Sequence, residues 1–179
     1  DEPAAAIETA VAATGTGWVS CAKEGKTCSI SASDVVTIRY GEGDNFTFFV
    51  TKGLSGVPCK NFWGDPSKGN NKACSYIASN LLDASPDSSF KKVVSEGQKF
   101  FQGAEGLFWV RYGHGSKWVY TLIQGGSQQE MPCNNSYFGF DPYKGTNKEC
   151  QIGGAFTLGV GEMTECATEG NNCTIGSSP

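Results

Sequence analysis

The chain has one histidine, His114, and no apolar run near the roughly 18 residues that a membrane-spanning helix needs. A single histidine leaves little room for Ser-His-Asp or Cys-His catalysis. His114 sits in a Gly-His-Gly turn, where a solvated ring is the simpler reading. The shortage also weakens a zinc reading of the cysteines, whose spacings are not knuckle spacings. Basic residues are not in excess: 14 Lys plus Arg stand against 18 Asp plus Glu, for a net charge of −4. There is no basic stripe, and no Gly-rich phosphate loop opens a helix. Nucleic acid and anionic membrane are therefore not the expected partners, and no cofactor or metal is expected. No signal peptide is visible. The opening Asp1-Glu2-Pro3-Ala4-Ala5-Ala6 reads as a mature N-terminus or a processed pro-region.

What the chain does have is repetition. Residues 34–50 (DVVTIRYGEGDNFTFFV) align without a gap with residues 106–122 (GLFWVRYGHGSKWVYTL) through a shared Arg-Tyr-Gly. Each copy then reaches a cysteine-bounded loop with a common ending. The first ending runs from Asp65-Pro66 through Lys68-Gly69 to Lys72-Ala73-Cys74, and the second from Asp141-Pro142 through Lys144-Gly145 to Lys148-Glu149-Cys150. Glu-Gly pairs stand at Glu24, Glu96 and Glu169, spaced by 72 and then 73 residues. A fixed period constrains architecture before any local reading does. Positions alike in both copies are expected to serve the fold, and positions where one copy departs are freer to serve a site.

The repeat also sorts the eight cysteines, which alone allow 105 connectivities. Cys21 and Cys28 enclose six residues, as do Cys166 and Cys173. The middle copy of this element, around Glu96-Gly97, lacks both members together, as a bonded pair would. Four local bridges follow: Cys21–Cys28, Cys59–Cys74, Cys133–Cys150 and Cys166–Cys173. Disulfides imply an oxidising compartment and a secreted protein. Sequons at Asn45, Asn134 and Asn172 fit a glycoprotein.

From Trp18 onward, short runs of Val, Ile, Thr and aromatics alternate with period two between glycines, which predicts an all-β protein. Each repeat reads as a hairpin with a turn of about five residues. The expected architecture is two pseudo-repeats in one β-sandwich or barrel, closed by a C-terminal strand. Its parts are a flexible arm over 1–17, repeat 1 over 18–79 and a linker over 80–91. Repeat 2 covers 92–160, and a partial repeat over 161–179 packs on the body. A monomer is expected.

Candidate chemistry is of two kinds. A carboxylate pair for glycoside hydrolysis would draw on Glu24, Glu42, Asp65, Glu96, Glu105, Asp141 or Glu169. Asp65 and Asp141 are one position of the repeat, and an Asx turn before Pro accounts for both. The aromatics that break the symmetry are Trp63 (opposite Gly139), Trp109 (opposite Thr37) and Tyr143 (opposite Ser67). Aromatics outside a shared core face are expected to be exposed, and flat rings stack on sugars. With neighbours Asp65, Arg111 and Lys144, they form the expected ligand-binding set: Trp63, Asp65, Trp109, Arg111, Tyr143 and Lys144.

The composite pattern Cys-Ala-x-Glu-Gly-x-x-Cys, Arg-Tyr-Gly, Gly-Asp-Pro within a cysteine pair, then Lys-x-Cys resembles a small secreted module of microbial extracellular proteins. That module often occurs in tandem beside polysaccharide-degrading catalytic domains. The match is nearly complete from Cys21 to Cys74 and covers Arg111 to Cys150 with an altered loop. The cysteine-free opening of the second copy and the C-terminal element depart from it. The resemblance implies secretion and a carbohydrate context, and it carries over no ligand site. The leading expectation is a secreted, non-catalytic protein that binds a neutral cell-wall polysaccharide. The alternatives are a protein-interaction module (effector, toxin, elicitor or enzyme inhibitor) and a small glycoside hydrolase.

Overall fold

The structure, a computed structural model, describes residues 17–30, 35–62, 64–78, 87–126 and 130–155. The first repeat contributes β1 (Val19–Lys23), β2 (Thr27–Ser29), β3 (Val35–Glu42), β4 (Asn45–Lys52), β5 (Gly56–Pro58) and β6 (Ala73–Ala78). The second contributes β7 (Lys91–Ser95), β8 (Lys99–Phe100), β9 (Gly106–His114), β10 (Lys117–Gly125), β11 (Met131–Pro132) and β12 (Glu149–Ala155). A short 3-10 turn, Asp87–Ser89, precedes β7. The protein is all-β, as the alternation predicts. No helix among the described residues is long and apolar enough to cross a membrane.

One eight-stranded antiparallel sheet runs through both repeats in the order β1-β6-β3-β4-β10-β9-β12-β7. Read from either edge, the order is the same set of repeat positions, so the two halves meet at β4 and β10. There Lys52 pairs with Trp118, Thr51 with Val119 and Val50 with Tyr120. The next step in this register would be Phe49 opposite Thr121, which are the same position of the repeat. A pseudo-twofold axis therefore passes through the seam. The edge strands β1 and β7 do not pair with each other among the described residues. The expected closing strand and the Cys166–Cys173 bridge lie outside the described residues, as does Asn172.

The Arg-Tyr-Gly motif is where the two faces of the sheet diverge. Cross-strand partners share a face, and Tyr40 faces Thr47 while Arg39 faces Phe48. Tyr40, Val36 and Ile38 thus point into one core, together with Phe49, Tyr112, Val110 and Phe138. This inner core is covered by the small sheets β2–β5 and β8–β11, through Cys28, Val57, Phe100 and Met131. The opposite face buries a second cluster of Val50, Phe90, Trp109, Trp118, Tyr120 and Leu122. Phe46, Phe48 and their counterparts lie on this second face, opposite Tyr40. The motif's glycine has a steric cause: a Cβ on Gly41 would lie 1.9 Å from the Asn45 carbonyl oxygen, and on Gly113 2.0 Å from that of Lys117.

The hairpin turns are tighter than the expected five residues. Glu42 pairs directly with Asn45, and His114 with Lys117. Only Gly43-Asp44 and Gly115-Ser116 remain between the strands. Gly43 (φ 61°) and Gly115 (φ 59°) take the first turn position, where a type II′ turn demands glycine.

Three expected disulfides are present: Cys21–Cys28, Cys59–Cys74 and Cys133–Cys150. The last two tie the long loops to β6 and β12. In the second repeat Val93 and Phe100 stand in place of Cys21 and Cys28. Near the axis Phe62 packs at 5.4 Å from Phe140, and both lie against Phe49. A Cβ on Gly139 would meet the Phe62 ring at 2.4 Å. That close approach is why the second copy has glycine at the position of Trp63.

Candidate functional site

The residues shared by both repeats converge on one polar knot per repeat. Lys72 is 5% exposed, with its ammonium 3.2 Å from Asp65 and 3.4 Å from Glu24. Lys148, also 5% exposed, lies 3.1 Å from Glu96 and 3.3 Å from Asp141. Each lysine also donates to loop carbonyls, Lys72 to Ser67 and Asn70 and Lys148 to Thr146. The Asp65 and Asp141 carboxylates accept the backbone N–H two residues on, in the expected Asx turns. Tyr40 donates its hydroxyl to Glu24, and Tyr112 to Glu96. A hydrogen bond from Tyr40, with Lys72 beside it, holds the Glu24 carboxyl below its ordinary range despite some burial. For Glu96 burial pushes the other way, but Tyr112 and Lys148 outweigh it. Burial is also opposed at Asp65, by the Ser67 N–H and Lys72. These motifs are scaffold: each fixes a bridged loop onto the sheet.

Around the second knot, positions that differ between the copies gather in a cleft of about 560 Å³. The shared residues Glu96, Asn147 and Lys148 line it, joined by Lys92, His114 and Glu149. The counterparts of these last three are Ser20, Glu42 and Ala73. Pairing of β7 with β12, and of β12 with β9, brings them together. Lys92 lies 3.1 Å from Glu149. Burial raises the Glu149 carboxyl, but Gln151, Lys92 and His114 bring it below the usual value. Ser95 completes the lining. Every lining side chain is polar, and each lysine is matched by a carboxylate. Beside it, Lys117, the strand partner of His114, places its ammonium 4.4 Å from the Tyr143 ring centre.

The six expected ligand residues do not form one site. Trp63 lies outside the described residues. Asp65 belongs to the first knot. Trp109 is fully buried, packed edge-on against Tyr120 at 6.4 Å. The expectation that it is exposed is wrong, because the second sheet face is itself a core. Arg111 is 6% exposed, and all three of its nitrogens donate, to Gln151, Asp87 and Tyr120, with the rings of Phe90 and Trp118 packed on it. Tyr143, half-buried, and Lys144, exposed, lie in the bridged loop that also carries Asn147 and Lys148. Asn45 is exposed at its turn, while the half-buried Asn134 accepts the Tyr137 N–H. Sequence reasoning missed Lys92, Ser95 and Glu149 as site residues. Applied to charged positions, the repeat comparison used for the aromatics singles out Lys92 and Glu149, whose counterparts are Ser20 and Ala73; Ser95 carries no such signal.

No family model matches the chain, and no solved structure matches it. A stretch of 67 residues is 36% identical to an uncharacterized protein, L701, of Acanthamoeba polyphaga mimivirus. The stretch covers 37% of this chain and 31% of that protein, so the chain spans about a third of the relative's length.

Proposed function

We propose that this is a secreted, non-catalytic carbohydrate-binding protein whose second-repeat cleft holds a neutral polysaccharide. The observation that carries the reading is the lining of the cleft: hydrogen-bonding groups alone, with charges paired internally. Such a surface offers donors and acceptors to hydroxyl groups and no net charge to an ion. The half-buried ring of Tyr143 beside it offers a flat face to a sugar. The bridged loop is already ordered, so binding loses little entropy there. The disulfides support an oxidising compartment. Binding is favoured over hydrolysis by the state of the carboxylates. Glu96 and Glu149 are both held below their ordinary range, whereas a glycosidase needs one carboxylic acid protonated near neutrality.

The test is a pull-down on insoluble glucan, chitin and cellulose, with reducing-sugar release measured on the same polymers. Binding to one polymer without release is expected. Tyr143→Ala is expected to weaken it by about 1–3 kcal/mol, as loss of a stacking platform does for a flat ligand, with an unchanged Tm. No binding to any of the polymers overturns the reading, and sugar release turns it into hydrolysis.

A further inference from the structure

The chain has two arginines, Arg39 and Arg111, and they occupy the same position of the repeat. Each guanidinium is clamped between two aromatic rings. Arg111 lies 4.4 Å from Phe90 and 4.1 Å from Trp118. Arg39 lies 4.4 Å from both Trp18 and Phe46, the counterparts of those rings. Ring packing on the guanidinium leaves its hydrogen bonding to the N–H groups at the edge of the fork.

The edges differ. On Arg111, Nε and Nη2 donate to the Gln151 carbonyl oxygen at 2.8 and 2.6 Å. Nη1 donates to the Asp87 carboxylate and to the Tyr120 hydroxyl. By the repeat, the counterparts of these acceptors are Ser75, Gly15 and Phe48. Two of the three have no side-chain oxygen, and serine is shorter than glutamine. Among the described residues no acceptor reaches Arg39, and its Nε is buried without a partner. Arg39 thus lacks, among the described residues, every acceptor that Arg111 has, and a charged guanidinium packed on aromatic rings without one marks a place for an acceptor. Arg39 itself remains half-buried, as do Trp18, Phe46 and Phe48 around it, and the adjacent Val19 is 48% exposed. An arginine ringed by part-exposed aromatics is the composition of an interface anchor.

We propose that Arg39 is the docking point for an acidic peptide. A carboxylate side chain of a partner polypeptide enters edge-on between Trp18 and Phe46 and accepts from an Nη group of Arg39, as the Asp87 carboxylate does from Nη1 of Arg111. A planar carboxylate matches the open fork. The second repeat carries the occupied form of the same site, and its occupant is an aspartate on a short turn, Asp87–Ser89, that leads into an aromatic. That precedent favours a peptide over an acidic sugar.

With two arginines, the protein gives two side-chain Nε–H signals in ¹H–¹⁵N spectra. The probe is the peptide Ser-Pro-Asp-Ser-Ser-Phe-Lys, the sequence of residues 85–91, titrated into the whole ¹⁵N-labelled chain. The Arg39 signal is expected to shift and saturate with peptide, while the Arg111 signal stays fixed. Asn in place of the peptide's Asp, or Arg39→Lys with an unchanged Tm, is expected to weaken binding at least tenfold. An Arg39 signal that stays still at millimolar peptide, or that moves equally with the Asn peptide, overturns the proposal. A shift with oligogalacturonate alone reassigns the site to acidic sugars and overturns the peptide.

Discussion

The Tyr112 hydroxyl donates to the Glu96 carboxylate at 2.6 Å, and Asn135 lies 2.8 Å from the same hydroxyl. In sequence, Glu-Gly reads as a turn and Arg-Tyr-Gly as a strand, two unrelated signals. In the fold they are halves of one contact, and Tyr40 with Glu24 repeats it. The conserved spacing between the motifs within each repeat follows from that bond.

This contact makes stability depend on pH at both ends. Burial and the neighbouring carboxylate push the Tyr40 and Tyr112 hydroxyls well above the ordinary tyrosine range. A raised folded value stabilises fully below the unfolded value of about 10 and is lost as pH rises beyond it. Glu24, Asp65, Asp87, Glu96 and Glu149 are all lowered in the folded state. Their contribution is present above the unfolded values near 4 and is lost as pH falls below them. Thermal melts across pH are expected to show a plateau between about pH 5 and 9, with Tm falling on both sides. Tyr112→Phe is expected to flatten the alkaline limb. An alkaline limb that is unchanged in Tyr112→Phe refutes the assignment.

Lys148→Met removes the cation that joins Glu96, Asp141 and the Thr146 carbonyl. Breaking a buried pair by deleting one partner is strongly destabilising. Both carboxylates keep some contact with water, which reduces the cost here to about 2 kcal/mol. Urea unfolding measures it. A loss under about 0.5 kcal/mol places the knot among surface ion pairs instead.

Trp109→Ala tests the second core. The side chain is fully buried, so its removal is expected to cost about 3–5 kcal/mol. A neutral substitution with altered polysaccharide binding would return Trp109 to the surface.

The fate of Trp109 also shows what the sequence can carry. The repeat, the all-β class, the hairpins and three bridges are legible because each rests on spacing along the chain. Alternation identifies a core face only when the other face meets water. Here Thr37 and Trp109 are buried on the face opposite Tyr40, so period two could not tell core from site. The cleft was hidden for another reason. Lys92, His114 and Glu149 meet only through β7–β12–β9 pairing, and no local pattern announces a three-strand register.

Val93 and Phe100 occupy the places of Cys21 and Cys28, so the molecule already contains a disulfide-free version of that corner. The joint change Cys21→Val with Cys28→Phe is therefore expected to fold. It should lose about 2 kcal/mol at most, the scale of a short-loop bridge. Replacing Cys133 and Cys150 by alanine has no such precedent in the fold, and a loss of about 3–5 kcal/mol is expected. Similar losses for the two pairs, by denaturant unfolding, would show that Val93 and Phe100 do not replace the bridge.

The seam between the repeats makes the last prediction. Lys52 pairs with Trp118, the counterpart of Phe46, so β4 meets its own repeat equivalent across a pseudo-twofold axis. An antiparallel edge that pairs with a copy of itself is self-complementary, as a twofold dimer interface must be. A fragment spanning residues 17–78 ends with β4 as an unpaired edge carrying Phe46, Phe48 and Val50. Unpaired edges of that kind seek a partner strand. The fragment is expected to form a dimer through β4, reproducing the eight-stranded order with two copies of the first repeat. Light scattering after size exclusion reads the mass directly. Phe48→Lys, which puts a charge at the new seam, is expected to return the dimer to monomer. A fragment that is folded and monomeric at the outset would mean that the seam does not hold the repeats together, and that each repeat is stable on its own.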